Sequence, residues 1–251
     1  MADHSIIPNR RAGRTTVFLV GIALLAASAG DPSGSPAAGS AGAPSLAAAA
    51  AARATTDPCS ESAYRLNGGR FAGVYRWWFT ARTVPPGLNE RRVERALRRA
   101  VRTVTGSRNT CGLADRVVAR SSYGGRTTAR PDLTARSTCG TPDGRSEVGF
   151  GELAAKDIGL TCFWMKKGRT VEADVELNQS YYTWYVRRPA TCSRSWSIRV
   201  VATHEFGHAF GLDHVSELTD GALTMSPLIL PCQRSEATLG LGVVLGLRAL
   251  Y

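Results

Sequence analysis

Apolar positions recur at intervals of three and four along 90–104, at Val93, Ala96, Leu97, Ala100, Val101 and Val104. That spacing predicts an amphipathic helix, with Asn89 placed to cap its start. Arg91, Arg92, Arg95, Arg98, Arg99 and Arg102 fill the other face and read as a solvated surface rather than a polyanion site. Ahead of it, the aromatic run Val74-Tyr-Arg-Trp-Trp-Phe-Thr predicts a strand, broken by Val84-Pro-Pro-Gly. Shorter apolar runs at 116–120, 147–150, 160–164 and 170–177, separated by Gly, Pro and Asp, predict further strands. A second helix is expected over 197–211 and a closing one over 243–250. The order of strand, helix, several strands, helix, loop and helix predicts one α+β domain on a mostly parallel, partly mixed sheet.

The N-terminus has a different character. Arg10, Arg11 and Arg14 precede an apolar run from Val17, and Ala27-Ser28-Ala29 offers a small-x-small cleavage site. This is the order of a secretory signal peptide, assigned to 1–29, and its apolar run is too short to span a bilayer. No cysteine near the cleavage site suggests a lipid anchor, and the arginine pair fits twin-arginine export poorly. Residues 30–57 are Ala, Gly, Ser and Pro almost throughout, a composition that cannot bury a core and reads as a disordered leader or linker. The folded domain is expected over 58–251 of a secreted, extracellular, monomeric protein without a stable membrane anchor.

Composition refines this picture modestly. The formal net charge of +11 is carried almost wholly by arginine and is compatible with acidic surfaces or substrates. No nucleic-acid recognition motif accompanies it, so nucleic acid is not an expected partner. Six cysteines, Cys59, Cys111, Cys139, Cys162, Cys192 and Cys232, form no C-x-x-C pair. An even count in an exported chain favours three disulfides. Closing local loops first suggests Cys111–Cys139, Cys192–Cys232 and Cys59–Cys162.

The chemistry concentrates in HEFGHAFGLDH, His204 to His214. On a helix, His204 and His208 lie one turn apart and can offer their imidazoles to one metal. Glu205 is turned by roughly 100° from His204, which can bring its carboxylate beside a metal-bound water. Gly211 can end the helix in a left-handed conformation and return His214 as a third ligand, leaving a fourth position for water. His4 lies in the signal segment, so a second histidine-bound zinc is excluded in the mature chain.

This stretch matches the H-E-x-x-H-x-x-G-x-x-H signature of the metzincin metallopeptidases, and its details most resemble matrixins. Leu223-Thr-Met-Ser-Pro227 resembles the methionine turn of that group, with Met225 as the methionine. Asp157-Ile-Gly-Leu-Thr resembles the matrixin edge strand that pairs with substrate, so Gly159, Leu160 and Thr161 are expected to bind it. The segment 171–178 resembles the strand leading toward the active-site helix, and 239–251 resembles the closing helix. The resemblance implies a metzincin-type zincin fold: a twisted, mostly parallel mixed sheet, an active-site helix, a Met-turn and a C-terminal helix. It further implies one catalytic Zn2+ on His204, His208 and His214, with Glu205 as general base of an endopeptidase.

Several family features are missing. No cysteine switch stands in the leader, and the histidine- and aspartate-rich loops that hold structural zinc and calcium in matrixins have no obvious counterpart. Calcium is therefore compatible with the chain but not indicated. Pro227 stands where astacins carry a tyrosine ligand, which argues against that branch. Leu228, Ile229 and Leu230 would wall a pocket preferring an apolar side chain after the cut. Two rival readings are a non-catalytic binding protein that keeps the zinc fold and a zinc hydrolase of a non-peptide bond. The intact Glu205 weighs against the first.

Overall fold

A computed structural model describes residues 16–23, 57–233 and 237–251. The arginines before the apolar run, the cleavage site and nearly all of the Ala/Gly/Ser/Pro segment lie outside the described residues.

Ten strands are formed among the described residues: β1 (Thr16–Ala23), β2 (Arg65–Leu66), β3 (Val74–Phe79), β4 (Arg120–Arg126), β5 (Ser146–Gly151), β6 (Asp157–Lys166), β7 (Arg169–Asn178), β8 (Thr183–Tyr185), β9 (Ser195–Ser197) and β10 (Leu212–Asp213). The helices are α1 (Glu90–Thr105), α2 (Ile198–Ala209), the single turn α3 (Glu217–Asp220) and α4 (Leu241–Leu250). Six strands make the main sheet in the order β1-β6-β7-β5-β3-β4. Parallel pairing joins β4, β3, β5 and β7, whereas β6 runs antiparallel to β7 and β1. The fold is thus α+β on a mixed, mostly parallel sheet.

The helices begin where their caps predict. Asn89 accepts a hydrogen bond from the Arg92 amide through its side chain, and Ser197 does the same for Val200. Both α1 and α2 lay their apolar residues on one core shared with the sheet, in which Trp77 and Tyr75 of β3 meet Phe206 of α2 and Phe210 just after it. The strand expected over 116–120 lies instead at Arg120–Arg126, because its register is set by parallel pairing that starts at Val74 and Arg120. Local apolarity at Val117 and Val118 does not decide it, and Val118 is exposed. The short β8–β9 pair went unread in the sequence; it aligns Trp184 with Trp196.

Two expected disulfides are corrected. The structure joins Cys59 to Cys111 and Cys139 to Cys162, and of the expected pairs only Cys192–Cys232 is formed. Closing local loops first fails because Cys162 sits in the middle of β6, where the 127–145 loop brings Cys139 to it, while Cys111 follows α1 back to the start of the domain. The apolar run read as the core of the export signal forms β1, pairing Val20 with Thr161 and Gly21 with Leu160. Among the described residues no helix is long and apolar enough to cross a membrane.

Candidate metal centre

Helix α2 carries His204, Glu205 and His208, all fully buried against the sheet. Its end is enforced by Gly211, whose φ of +100° is left-handed and whose missing Cβ would lie 2.2 Å from the Gly69 carbonyl oxygen. No other residue tolerates both that conformation and that approach. Asn67 secures the same turn: its side-chain amide donates to the His208 and Leu212 carbonyls at 2.9 and 3.1 Å. The chain then doubles back through β10 and delivers His214.

The three imidazoles converge on their Nε2 atoms. His204 and His208 stand 2.9 Å apart there, His204 and His214 3.0 Å, and His208 and His214 3.1 Å. On the far side, His204 Nδ1 lies 2.6 Å from the Thr224 carbonyl oxygen and His208 Nδ1 2.9 Å from that of Leu212. A carbonyl only accepts, so Nδ1 must carry the proton in each. The Nε2 lone pairs of neutral His204 and His208 therefore point at one another and toward His214 Nε2. Burial holds His208 well below the usual histidine range, reinforced by His204 and His214, and burial lowers His214 to about 4 despite Asp213. Rings aimed at one point, two of them oriented by a carbonyl behind, form a cation-binding set. These three residues could hold a metal ion. Nitrogen separations near 3 Å suit ligands about 2 Å from a common centre, the zinc–imidazole distance.

Residues 154–251 match the family model for matrixins. This part of the chain is a matrixin-like metzincin domain. No curated protein matches the chain. Matrixins are zinc-dependent metallopeptidases, and the matched stretch runs from the loop before β6 to the end of α4. The strands β3 to β5 and α1, which complete the sheet and core, precede it.

Met225 of the matrixin-like turn is buried beneath α2, where a Cβ added at Gly207 would fall 2.3 Å from its Sδ. The turn is tight, with the Ser226 amide donating to the Leu223 carbonyl at 3.0 Å. Within it the Thr224 carbonyl orients His204. Sequence reasoning missed both Thr224 and Asn67, since each acts through backbone geometry that no motif spells.

Glu205 is wholly buried. Thr161 Oγ1 lies 2.6 Å from Glu205 Oε2 and 3.0 Å from its main-chain carbonyl, while Oε1 has no hydrogen-bond partner. Burial pushes the carboxyl up to about 8, opposed by the Thr161 hydrogen bond and aided by Asp157. Gly159 makes room for it, since a Cβ there would stand 2.7 Å from Oε1. Of the expected edge residues, Thr161 therefore points its side chain at Glu205. On that edge Leu160 and Thr161 are paired with Gly21 and Val20 of β1. Leu228 and Ile229 are buried and Leu230 is half-buried.

A second set of oxygen donors also stands together. Asp132, Asp143 and Glu172 bring carboxylate oxygens within 4.8 Å of one another and could hold a metal ion. Two buried carboxyls adjoin them: Glu147, neither of whose oxygens has a hydrogen-bond partner, and Asp174, which accepts from the Asp132 and Glu147 amides. Glu172 is 1% exposed, and its Oε1 likewise has no partner, while Oε2 accepts from the Gly144 amide at 2.6 Å. Arg145 Nε lies 3.3 Å from Glu147 Oε1. Burial raises Glu147 and Glu172 to about 7, and Asp143 and Asp132 add to the rise in each. The acids are scattered in sequence over two strands and a loop, which is why no spacing revealed them.

Proposed function

We propose that the mature chain, 58–251, is a secreted zinc endopeptidase holding one catalytic zinc on His204, His208 and His214. The convergence of three Nε2 atoms, two of them freed of their proton by a carbonyl at Nδ1, beside a buried carboxyl is the observation that carries this reading. Zinc bound there would supply a Lewis acid and an acidified water. Glu205 takes the proton of the attacking water and returns it to the leaving amine. Thr161 holds the Glu205 carboxylate in place through its hydroxyl. Thr224 and Leu212 keep two imidazoles in the ligating tautomer. Exclusion of solvent from around Glu205 strengthens each of these contacts.

An extended substrate would add to the backbone edge of Gly159, Leu160 and Thr161, taking the register now held by Val20 and Gly21. That edge accepts an antiparallel strand, which supports the assignment, and removal of the export signal at 1–29 would free it. The pocket bordered by 215–231 would favour an apolar side chain after the cut. The decisive experiment is casein hydrolysis by purified chain, combined with metal analysis. Activity lost on chelation, restored by zinc and absent in Glu205→Ala supports the reading. A chain with one zinc that cuts no protein or peptide sinks it.

The Asp132, Asp143 and Glu172 set is proposed to hold a hard, oxygen-seeking cation such as calcium. Glu172 Oε1 and Glu147 Oε2, buried without a hydrogen-bond donor or an ion-pair partner, support this, because desolvated negative oxygens are costly unless a cation meets them.

A further inference from the structure

Two clefts adjoin between α1 and the start of α2. One, of 310 Å³, is lined by Arg99, Arg102, Thr103, Arg108 and Arg199. The other, of 360 Å³, is lined by Arg92, Arg95, Arg99, Arg187 and Arg199 together with Ala96 and Val186. Arg99 and Arg199 belong to both, and neither is lined by an aspartate or glutamate. The α1 arginines Arg92, Arg95, Arg99 and Arg102 follow one another at steps of three, four and three, so they form one stripe on the helix. The stripe is about 15 Å long at the rise of an α-helix. Arg126, at the other side of the same helix, instead pairs with Glu90 and Glu94. Among the described residues, no ion pair is formed by any of the seven arginines here.

Arg199 distinguishes these clefts from a merely solvated face. It is half-buried at the first turn of α2, and its Nη2 donates to the Ala237 carbonyl at 3.1 Å. Its Nε is buried without a hydrogen-bond partner. Burial lowers its pKa, and Arg99 and Arg108 lower it further, so these positive charges act on one another at close range. A desolvated guanidinium with an unused donor, facing like charges, is destabilising unless an anion is supplied. Planar guanidinium forks suit tetrahedral oxyanions, which accept paired hydrogen bonds.

We infer that the paired arginine clefts bind a polyanion bearing at least two phosphate or sulfate groups, one group seated in each cleft with Arg99 and Arg199 between them. Arg199 and His208 are nine residues apart, about 180° around α2. The ligand therefore docks on the side of the helix away from the histidines, and it anchors the domain without entering the metal centre.

Binding of the full purified chain to inorganic polyphosphate and to a sulfated polysaccharide, measured separately by calorimetry over a salt series, tests the inference. The doubly exposed variant Arg99→Ala/Arg187→Ala should weaken binding at least tenfold and reduce the salt slope by about 2. The charge-matched variant Arg116→Ala/Arg120→Ala, outside the clefts, should change it less than threefold. Selective loss with either polymer supports the clefts, and the arm that shows it identifies the anion. Equal loss in both variants would mean diffuse attraction to a cationic chain, and binding to neither polymer at low salt would mean no such site. Either result overturns the inference.

Discussion

The Thr161 hydroxyl lies 2.6 Å from Glu205 Oε2, linking the middle of β6 to the centre of the helix that carries two histidines. It is the only hydrogen bond to that carboxylate among the described residues, since Oε1 has none. If Glu205 moves the proton in peptide hydrolysis, Thr161→Val should lower kcat/KM by about tenfold or more, matching the ~1.5–3 kcal/mol of a hydrogen bond to a charged group. Because that bond lowers the Glu205 pKa, its loss should move the acidic limb of the pH–rate profile upward. Thr161→Ser should restore both. An unchanged pH profile in the valine variant would remove Thr161 from the mechanism.

Met225 and Gly207 should behave as one packing unit. A methyl at Gly207 would stand 2.3 Å from Met225 Sδ, so Gly207→Ala should cost about 1–3 kcal/mol by overpacking. Met225→Ala alone should cost about 2–5 kcal/mol by leaving a cavity. Denaturant unfolding of the double variant should show less than the sum. Additive costs would mean that the two do not touch in solution.

Stability of the metal-free chain should fall as pH rises from about 6.5 to about 8. Burial pushes Glu176 up to about 8, with Arg130 opposing, and raises Glu205 to about 8 and Glu147 and Glu172 to about 7. In that window the folded chain retains protons that the unfolded chain, with glutamates near 4.3, has released, so unfolding gains from each rise in pH. Each group adds at most about 1.4 kcal/mol per pH unit until its folded pKa is passed. The lowered histidines do not interfere, because His214 at about 4 acts below pH ~6.5. Urea unfolding of Glu176→Gln should give a shallower fall than the native chain; an equal slope would refute the role of Glu176.

Calcium should raise the thermal midpoint of the native chain and leave that of Glu172→Gln nearly unmoved. A site at 100 times its Kd adds about 2.7 kcal/mol, several degrees for a domain of this size. Calorimetry showing the same response in both proteins would assign the effect elsewhere.

Peptide mapping without reduction should recover Cys59–Cys111, Cys139–Cys162 and Cys192–Cys232. The double variant Cys139→Ala/Cys162→Ala opens a loop of 23 residues and should cost about 3 kcal/mol. Recovery of a Cys111–Cys139 peptide would contradict this connectivity.

The sequence by itself determined the elements whose signal is periodic or chemical. The arginine-faced helix, the helix bearing HEFGH, the strands over 146–178 and the glycine that ends α2 follow from spacing, caps and backbone freedom. The histidine triad was legible for the same reason, since i and i+4 on a helix place side chains together before any tertiary contact exists. Only the tertiary structure decided the partners brought in from afar. Asn67 reaches the end of α2 from 141 residues away, and Thr161 meets Glu205 across 44. The disulfides, the acid cluster and the convergence of Arg187 and Arg199 with the α1 stripe have the same origin. Such contacts depend on sheet order and register, which pairing between distant strands settles and local pattern does not encode.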